Sequence, residues 1–428
     1  MRLFFLALVM ASLPSLASAQ KSDLQEALYA LPDVIFTPMD SPEGVSESYV
    51  LKIRQPLDHQ HPEKGSFWQR VYLEHTGFDK PMTIVTHGYN VTRDARYELS
   101  QLLQGNQLLV EHRFFGESMP DSVDYTYLTL EQATADYHRI RELFRDVYPG
   151  KWLSTGISKG GQTTIFYRYF YPEDVDVSFP FVAPINHSVE DPRIYTFLDT
   201  VGTAACRKAL YDVQVRLLKA RDQVLPRVSW FARGAGLQFT YLTLEQAWEY
   251  TVLEYPFSFW QWGSDCADIP GKDVSIDSLL SHVLKVSDFG FFSDRDIIGF
   301  ASHYYQAGTQ AGYYGYQTRP FKGLLHALPT DTNPSAVFMP NHMPIRFDPT
   351  LTNTVFEWTQ TKGDHIIYLN GSSDTWSATA VPHSDQVDAA WFFLPGTDHR
   401  AARIKNLSPA ERARMVQVLE GWLGMEIE

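Results

Sequence analysis

An α/β fold, a mostly parallel sheet interrupted by a large helical insertion, is the fold class that three observations in the sequence predict. Short apolar runs alternate with amphipathic helical stretches over residues 82–182, the pattern of parallel strands joined by crossover helices. A G-x-S-x-G segment, Gly156-Ile157-Ser158-Lys159-Gly160, stands between one such run and a helical stretch. An aspartate and a histidine, Asp374 and His399, follow the last two apolar runs, so that serine, acid and histidine come in the chain order of the α/β-hydrolases.

The N-terminus carries a basic start at Arg2, an apolar run over residues 3–10 and Ala17-Ser18-Ala19 before Gln20. This is the plan of a secretory signal peptide over residues 1–19, and the run is too short for a membrane anchor, which needs about 20 apolar residues. The expected location is secreted or periplasmic. The length beyond residue 19 exceeds what one hydrophobic core usually fills, so a catalytic core with a substantial insertion is expected. A formal net charge of −14 argues against nucleic acid and anionic membrane as partners, since both favour basic surfaces. Cys206 and Cys266 are the only two cysteines; an oxidising destination favours a disulfide between them, although the sequence leaves the pairing open. The fourteen histidines are scattered without the ligand spacing of a metal site, so neither metal nor cofactor is expected.

Taken in order, residues 48–57 and 67–76 have β-rich patterns around a polar segment and predict a hairpin. Residues 82–86 and 107–110 are continuous apolar runs of the kind that buried parallel strands show. From Leu130 the apolar positions Ala133, Tyr137, Ile140, Phe144 and Val147 recur at three and four, with Thr129 and Gln132 ahead as a cap region. A strand over 152–154, a helix to about Tyr171 and a strand over 177–182 follow. Residues 190–345 then change to helical periodicity with aromatic clusters over 205–219, 244–253, 278–284 and 294–306. Strand-like runs return at 365–369 and 390–394, and a helix runs from Pro409 to about Leu423. The expected organisation is therefore a signal peptide (1–19), a first half of the core (20–189), a helical cap inserted after the sixth strand (190–345), and a second half of the core (346–428).

A serine on a sharp strand-to-helix turn projects from the edge of the sheet, and the glycines at 156 and 160 keep that turn clear of its neighbours. Ser158 is thus the candidate nucleophile, His399 its general base and Asp374 the acid that orients the histidine. Asp364 precedes its strand, Asp398 adjoins the histidine and His383 comes before the last strand, so each fits a loop role better. The oxyanion site needs an N–H after the nucleophile and a second from the turn after the third strand. Lys159 supplies the first, and Tyr89, in His87-Gly88-Tyr89, is the candidate for the second.

Residues 111–118 and 128–133 resemble secreted α/β-hydrolase exopeptidases of the prolyl carboxypeptidase and dipeptidyl-peptidase group. Residues 155–161, 171–176 and 182–186 are similar to one branch, the bacterial tripeptidyl and prolyl tri/tetrapeptidyl aminopeptidases, as are Phe259-Trp260-Gln261-Trp262, residues 304–310 and residues 370–374. The resemblance spans most of the mature chain. It implies a serine aminopeptidase that removes short N-terminal peptides, often after proline, with the positions of Ser158, Asp374 and His399 as its triad. Ile157 departs from the family elbow, which commonly has tryptophan or glycine before the serine.

An aminopeptidase must bind a cationic amine and limit the chain that fits ahead of the scissile bond, so its expected partners are peptides with a free N-terminus. Candidate lining residues are Trp260, Trp262, Tyr304, Tyr305 and Tyr313, since proline stacks on aromatic faces at little entropic cost. Candidate acceptors for the amine are Glu111, Glu117 and acids of the cap such as Asp265, because loops after parallel strands converge on one face. An esterase or lipase using the same triad is the alternative function.

Overall fold

The computed structural model describes residues 22–331 and 338–427; the signal peptide expected over 1–19 lies outside them. The described residues form one nine-stranded sheet. Its strands are β1 (Val34–Met39), β2 (Glu47–Pro56), β3 (Ser66–His75), β4 (Met82–Thr86), β5 (Asn106–Val110), β6 (Trp152–Ile157), β7 (Val177–Phe181), β8 (Ile367–Gly371) and β9 (Ala390–Leu394). The spatial order is β1-β2-β3-β5-β4-β6-β7-β8-β9. The β1, β2, β3 and β5 pairings are antiparallel, and β5, β4, β6, β7, β8 and β9 run parallel. Both faces of the parallel part are covered, so β4, β5, β6 and β7 are buried almost throughout, and β4 and β5 read as continuous apolar runs.

The helices are α1 (Asp23–Ala30), α2 (Glu98–Leu102), α3 (Leu130–Phe144), α4 (Lys159–Phe170), α5 (Pro192–Thr200), α6 (Ala204–Lys219), α7 (Arg221–Gly234), α8 (Leu244–Gln261), α9 (Ile276–Val286), α10 (Asp294–Gly299), α11 (Ala301–Gln306), α12 (Thr350–Thr361) and α13 (Pro409–Leu423). Helix α3 starts where its sequence says: the Thr129 side chain accepts the N–H of Gln132, satisfying one orphan donor of the first turn. Tyr137, Ile140 and Phe144 then pack with Ile84, Leu108 and Val110 on one face of the sheet. Helices α2 and α13 cover the opposite face, where Leu99, Met415, Leu419 and Leu423 meet Phe179, Phe181 and Leu369.

Helices α5 to α11 stand between β7 and β8 and build a core of their own, from Ile194 to Phe338, rich in tryptophan, tyrosine and phenylalanine. Helix α8 is its axis. A capping box between Thr243 and Gln246 starts it, and all but a few of its residues are buried. A disulfide joins Cys206 on α6 to Cys266 in the turn after α8.

One expectation needs correction. The helical insertion follows the seventh strand, not the sixth, because β1 is an additional edge strand. Its sequence, Val34-Ile35-Phe36-Thr37-Pro38-Met39, does not alternate apolar and polar residues although their exposure largely alternates, and a proline such as Pro38 is tolerated only on an edge.

The disulfide closes a loop with a sequence separation of 60, which in the chain-entropy account stabilises by about 4 kcal/mol. Replacing both cysteines with serine is expected to lower the denaturant midpoint correspondingly in equilibrium unfolding. An unchanged midpoint contradicts a structural role for the bridge.

Candidate active site

The sheet changes direction of growth between β4 and β6: the chain goes from β4 outward to β5, then returns to lay β6 on the other side of β4. At such a switch point the loops leaving the carboxyl ends diverge and open a crevice. The loop after β4 carries His87, Gly88 and Tyr89, and the turn after β6 is Ser158 itself.

Ser158 has φ 60° and ψ −123°, a left-handed conformation that a non-glycine residue adopts only under constraint. The constraint is visible. Its N–H donates to Phe181 O at 2.9 Å, its carbonyl receives the N–H of Gln162 at 2.9 Å, and α4 begins at the next residue. Gly88, at φ 86°, lies so close to α4 that a Cβ there would meet the Gly160 nitrogen at 2.6 Å, and a Cβ on Gly160 would run into the carbonyls of Thr86 and His87. Thr86 Oγ1 adds a tie, donating toward Thr155 O at 3.2 Å and Gly160 O at 2.9 Å.

The side chain of Lys159 locks the same two loops. Its Nζ donates to Gly88 O at 2.8 Å and lies 5.6 Å from the centre of the Tyr89 ring and 5.3 Å from that of Phe115. Burial pulls this ammonium down to about 7, because the charged form loses its hydration. Nearby histidines are shifted the same way by burial, His303 to about 3 and His112 well below its ordinary value. The N–H of Lys159 is in the first turn of α4 and has no intrahelical acceptor; with the N–H of Tyr89 it is the candidate oxyanion pair.

The strands β8 and β9 end level, with Gly371 opposite Leu394, and β7 ends two residues earlier, with Phe181 opposite Leu369. The loops after β8 and β9 therefore meet. Ser373 N–H donates to Thr397 O at 3.0 Å, and His399 Nδ1 lies 2.7 Å from Asp374 Oδ2. Asp374 is fully buried and also accepts the N–H of Trp376 at 3.1 Å. As a carboxylate it can only accept, which assigns the proton to Nδ1 and leaves Nε2 as the basic nitrogen.

The helical insertion holds both loops. His399 N–H donates to Gln261 O at 3.0 Å, at the end of α8. Thr375 Oγ1 donates to Phe257 O at 3.0 Å, one turn earlier. Trp262 stands edge-on to the His399 ring at 5.8 Å, with the Arg400 guanidinium over its face at 4.6 Å.

Other candidates fall elsewhere. Glu111 is fully buried, salt-bridged to Arg70 at 2.5 Å, and takes the N–H groups of Val91 and Ser118. Glu117 is exposed and shared between Arg70 and Lys52 of the antiparallel strands. Asp265 caps the turn that begins at Cys266. Trp260 packs inside the core of the insertion, its ring against Gly202. Tyr305 stacks on Tyr125 at 5.1 Å. Tyr304 and Tyr313 are buried side by side, and Tyr313 bridges His303 at 5.2 Å and Trp376 at 5.9 Å. Asp364, Asp398 and His383 are loop residues, as expected: the first two accept neighbouring backbone N–H groups and the third pairs with Asp385. Trp376 and His303 were not singled out from sequence; only the position of Trp376, two residues after Asp374, signals it.

A family model described as PS-10 peptidase S37 matches residues 17–427. Prolyl tri/tetrapeptidyl aminopeptidase of Streptomyces mobaraensis is 33% identical over 416 residues, 95% of this chain and 86% of that one. Lysosomal Pro-X carboxypeptidase of Mus musculus is 26% identical over 179 residues, 36% of each chain. Among solved structures, proline iminopeptidase of Mycobacterium smegmatis aligns at 11% identity and a TM-score of 0.38 over 87% of this chain and 98% of that one.

Lys159 carries a pH signature. Its ammonium titrates near 7 when folded, against an ordinary value of 10.5, so between these values the unfolded chain holds more protons and stability rises with pH. In Lys159→Met that contribution is absent. The melting temperature of the wild type is expected to gain on that of the variant between about pH 7 and about pH 10, and a difference that does not change with pH contradicts a buried ammonium.

Proposed function

The chain belongs to the PS-10 peptidase S37 family and is a serine peptidase; from that premise we propose that it is an aminopeptidase that releases tri- and tetrapeptides from free N-termini, after proline, through an acyl-enzyme on Ser158. The observation that carries the residue assignment is the 2.7 Å contact of His399 Nδ1 with Asp374 Oδ2, made by loops that leave adjacent strands at the same edge of the sheet as the strained Ser158 turn. The choice of substrate rests on the likeness to the Streptomyces mobaraensis enzyme over nearly the whole chain.

The steps follow from the groups present. His399 Nε2 takes the Ser158 proton as Oγ attacks the carbonyl carbon of the residue ahead of the scissile bond. The negative charge that develops on the carbonyl oxygen is met by the N–H groups of Lys159 and Tyr89, reinforced by the positive end of α4. The imidazolium, stabilised by Asp374, gives its proton to the leaving amine. Water, deprotonated by the same histidine, then attacks the ester, and the short peptide leaves as a carboxylic acid while Ser158 regains its proton.

The described helical unit between β7 and β8 serves as the lid, with Trp262 and Tyr313 lining the approach to His399 and Trp376. Export through the N-terminal signal peptide puts the enzyme outside the cytoplasm, where the Cys206–Cys266 bridge is stable. Among the described residues no helix is long and apolar enough to cross a membrane.

Ser158→Ala is expected to keep the melting temperature and to lower kcat by roughly four orders of magnitude or more. Wild-type hydrolysis of Ala-Ala-Pro-nitroanilide should far exceed that of its N-blocked form. Equal rates on the two peptides overturn the aminopeptidase reading, and cleavage of a nitrophenyl ester alone favours an esterase.

A further inference from the structure

We propose that Glu254, buried within the helical unit on α8, receives the ammonium group of the substrate's first residue. The proposal rests on the aminopeptidase reading and names the residue that would enforce it.

Glu254 lies one turn ahead of the part of α8 that docks on the acid loop. The chain of contact is short. Tyr314 Oη donates to Glu254 Oε2 at 2.8 Å; the Tyr314 ring stacks on Phe257 at 3.9 Å and meets Trp376 edge-on at 5.5 Å; Trp376 N–H donates to Asp374. On the other side Tyr313, packed against Tyr314 at 4.4 Å, reaches Tyr89 of the candidate oxyanion loop through His303. The carboxyl thus sits behind a wall of rings that runs from the acid loop to the oxyanion loop.

Its chemistry is unlike that of the other buried acids. Glu111 is held by Arg70, Glu74 by Arg96 and Asp136 by Arg113, and Glu249 takes the N–H groups of His326, Ala327 and Leu328. Glu254 has no cation in salt-bridge range among the described residues, and its partners are two hydroxyls, Tyr314 Oη and Ser258 Oγ, the latter at 2.7 Å. A buried carboxylate without a countercharge is costly, and burial accordingly raises this group to about 7. Two further polar atoms along the same wall of rings, Tyr304 Oη and His303 Nδ1, are buried without a hydrogen-bond partner, which buried polar groups rarely tolerate. A primary ammonium meets both needs: it supplies the missing positive charge and three donors to a set of acceptors enclosed by aromatic faces. An acylated N-terminus brings no charge, so the site would discriminate against it as well as bind the free amine.

The test compares Ala-Ala-Pro-nitroanilide with its N-acetyl form in the full-length enzyme and in Glu254→Gln, which preserves size and shape but cannot ionise. The wild-type ratio of kcat/KM for free over blocked peptide reports the aminopeptidase reading; the change of that ratio in the variant reports Glu254. We expect the ratio to fall by roughly a hundredfold, chiefly through KM for the free peptide, while a fluorophosphonate still labels Ser158. Glu254→Asp, which keeps a carboxylate, should retain most of the preference. A wild-type preference for the free amine that survives intact in Glu254→Gln overturns the assignment, as does an equal loss on both peptides with loss of labelling, which marks a packing role. A wild type without preference removes the premise and the proposal together.

Discussion

Backbone contact between the end of β4 and the first turn of α4 is the constraint on which the rest of the site depends. Gly88 and Gly160 permit an approach that any side chain would block, and this approach holds Ser158 at a φ that costs of order 1–3 kcal/mol for a non-glycine residue. The cost is offset by the hydrogen bonds of the parallel strands on either side and by the buried Lys159 tie to Gly88. Fixing the turn fixes three things together: the direction of the serine hydroxyl, the first N–H groups of α4 and the position of the Tyr89 loop. Preorganisation of this kind is what makes an oxyanion site effective, since its dipoles need not reorganise during the reaction.

The second dependence runs through α8. One end of this helix is buried in the core of the insertion, and the other gives backbone carbonyls to the N–H of His399 and the hydroxyl of Thr375. The candidate base and acid are therefore positioned by the same element that carries Glu254 and abuts Tyr314. In the proposed reading, substrate selection and the alignment of the histidine and acid loops depend on the same helix. The Cys206–Cys266 bridge ties the segment just beyond the end of α8 to α6.

Much of this was legible in the sequence. Continuous apolar runs marked β4 and β5, the threonine ahead of α3 marked its start, and chain order together with position after the last two strands selected Asp374 and His399, which the structure brings into contact. Other parts depend on packing that no local pattern encodes. The edge strand β1 has neither a continuous apolar run nor alternation of apolar and polar residues, since solvent reaches much of it. Glu111 was a reasonable amine acceptor by its place after β5, yet its partner Arg70 is on the antiparallel neighbour β3, far away in sequence. Trp260 and Trp262 are two residues apart at the end of α8 and meet opposite fates, one in the core of the insertion and one against His399, because the helix ends between them. Glu254 gave no signal: a glutamate amid aromatic residues on a helix is ordinary until its lack of a countercharge is seen in three dimensions.

The central claim is that the strained turn after β6 presents the nucleophile. Treatment of the intact enzyme with a fluorophosphonate, followed by proteolysis and mass spectrometry of the modified peptide, tests it most directly. The account predicts one adduct per chain, on Ser158, formed at a rate that falls when His399 is replaced by alanine. An adduct on any other serine, or no adduct on an enzyme that still hydrolyses peptides, would contradict it.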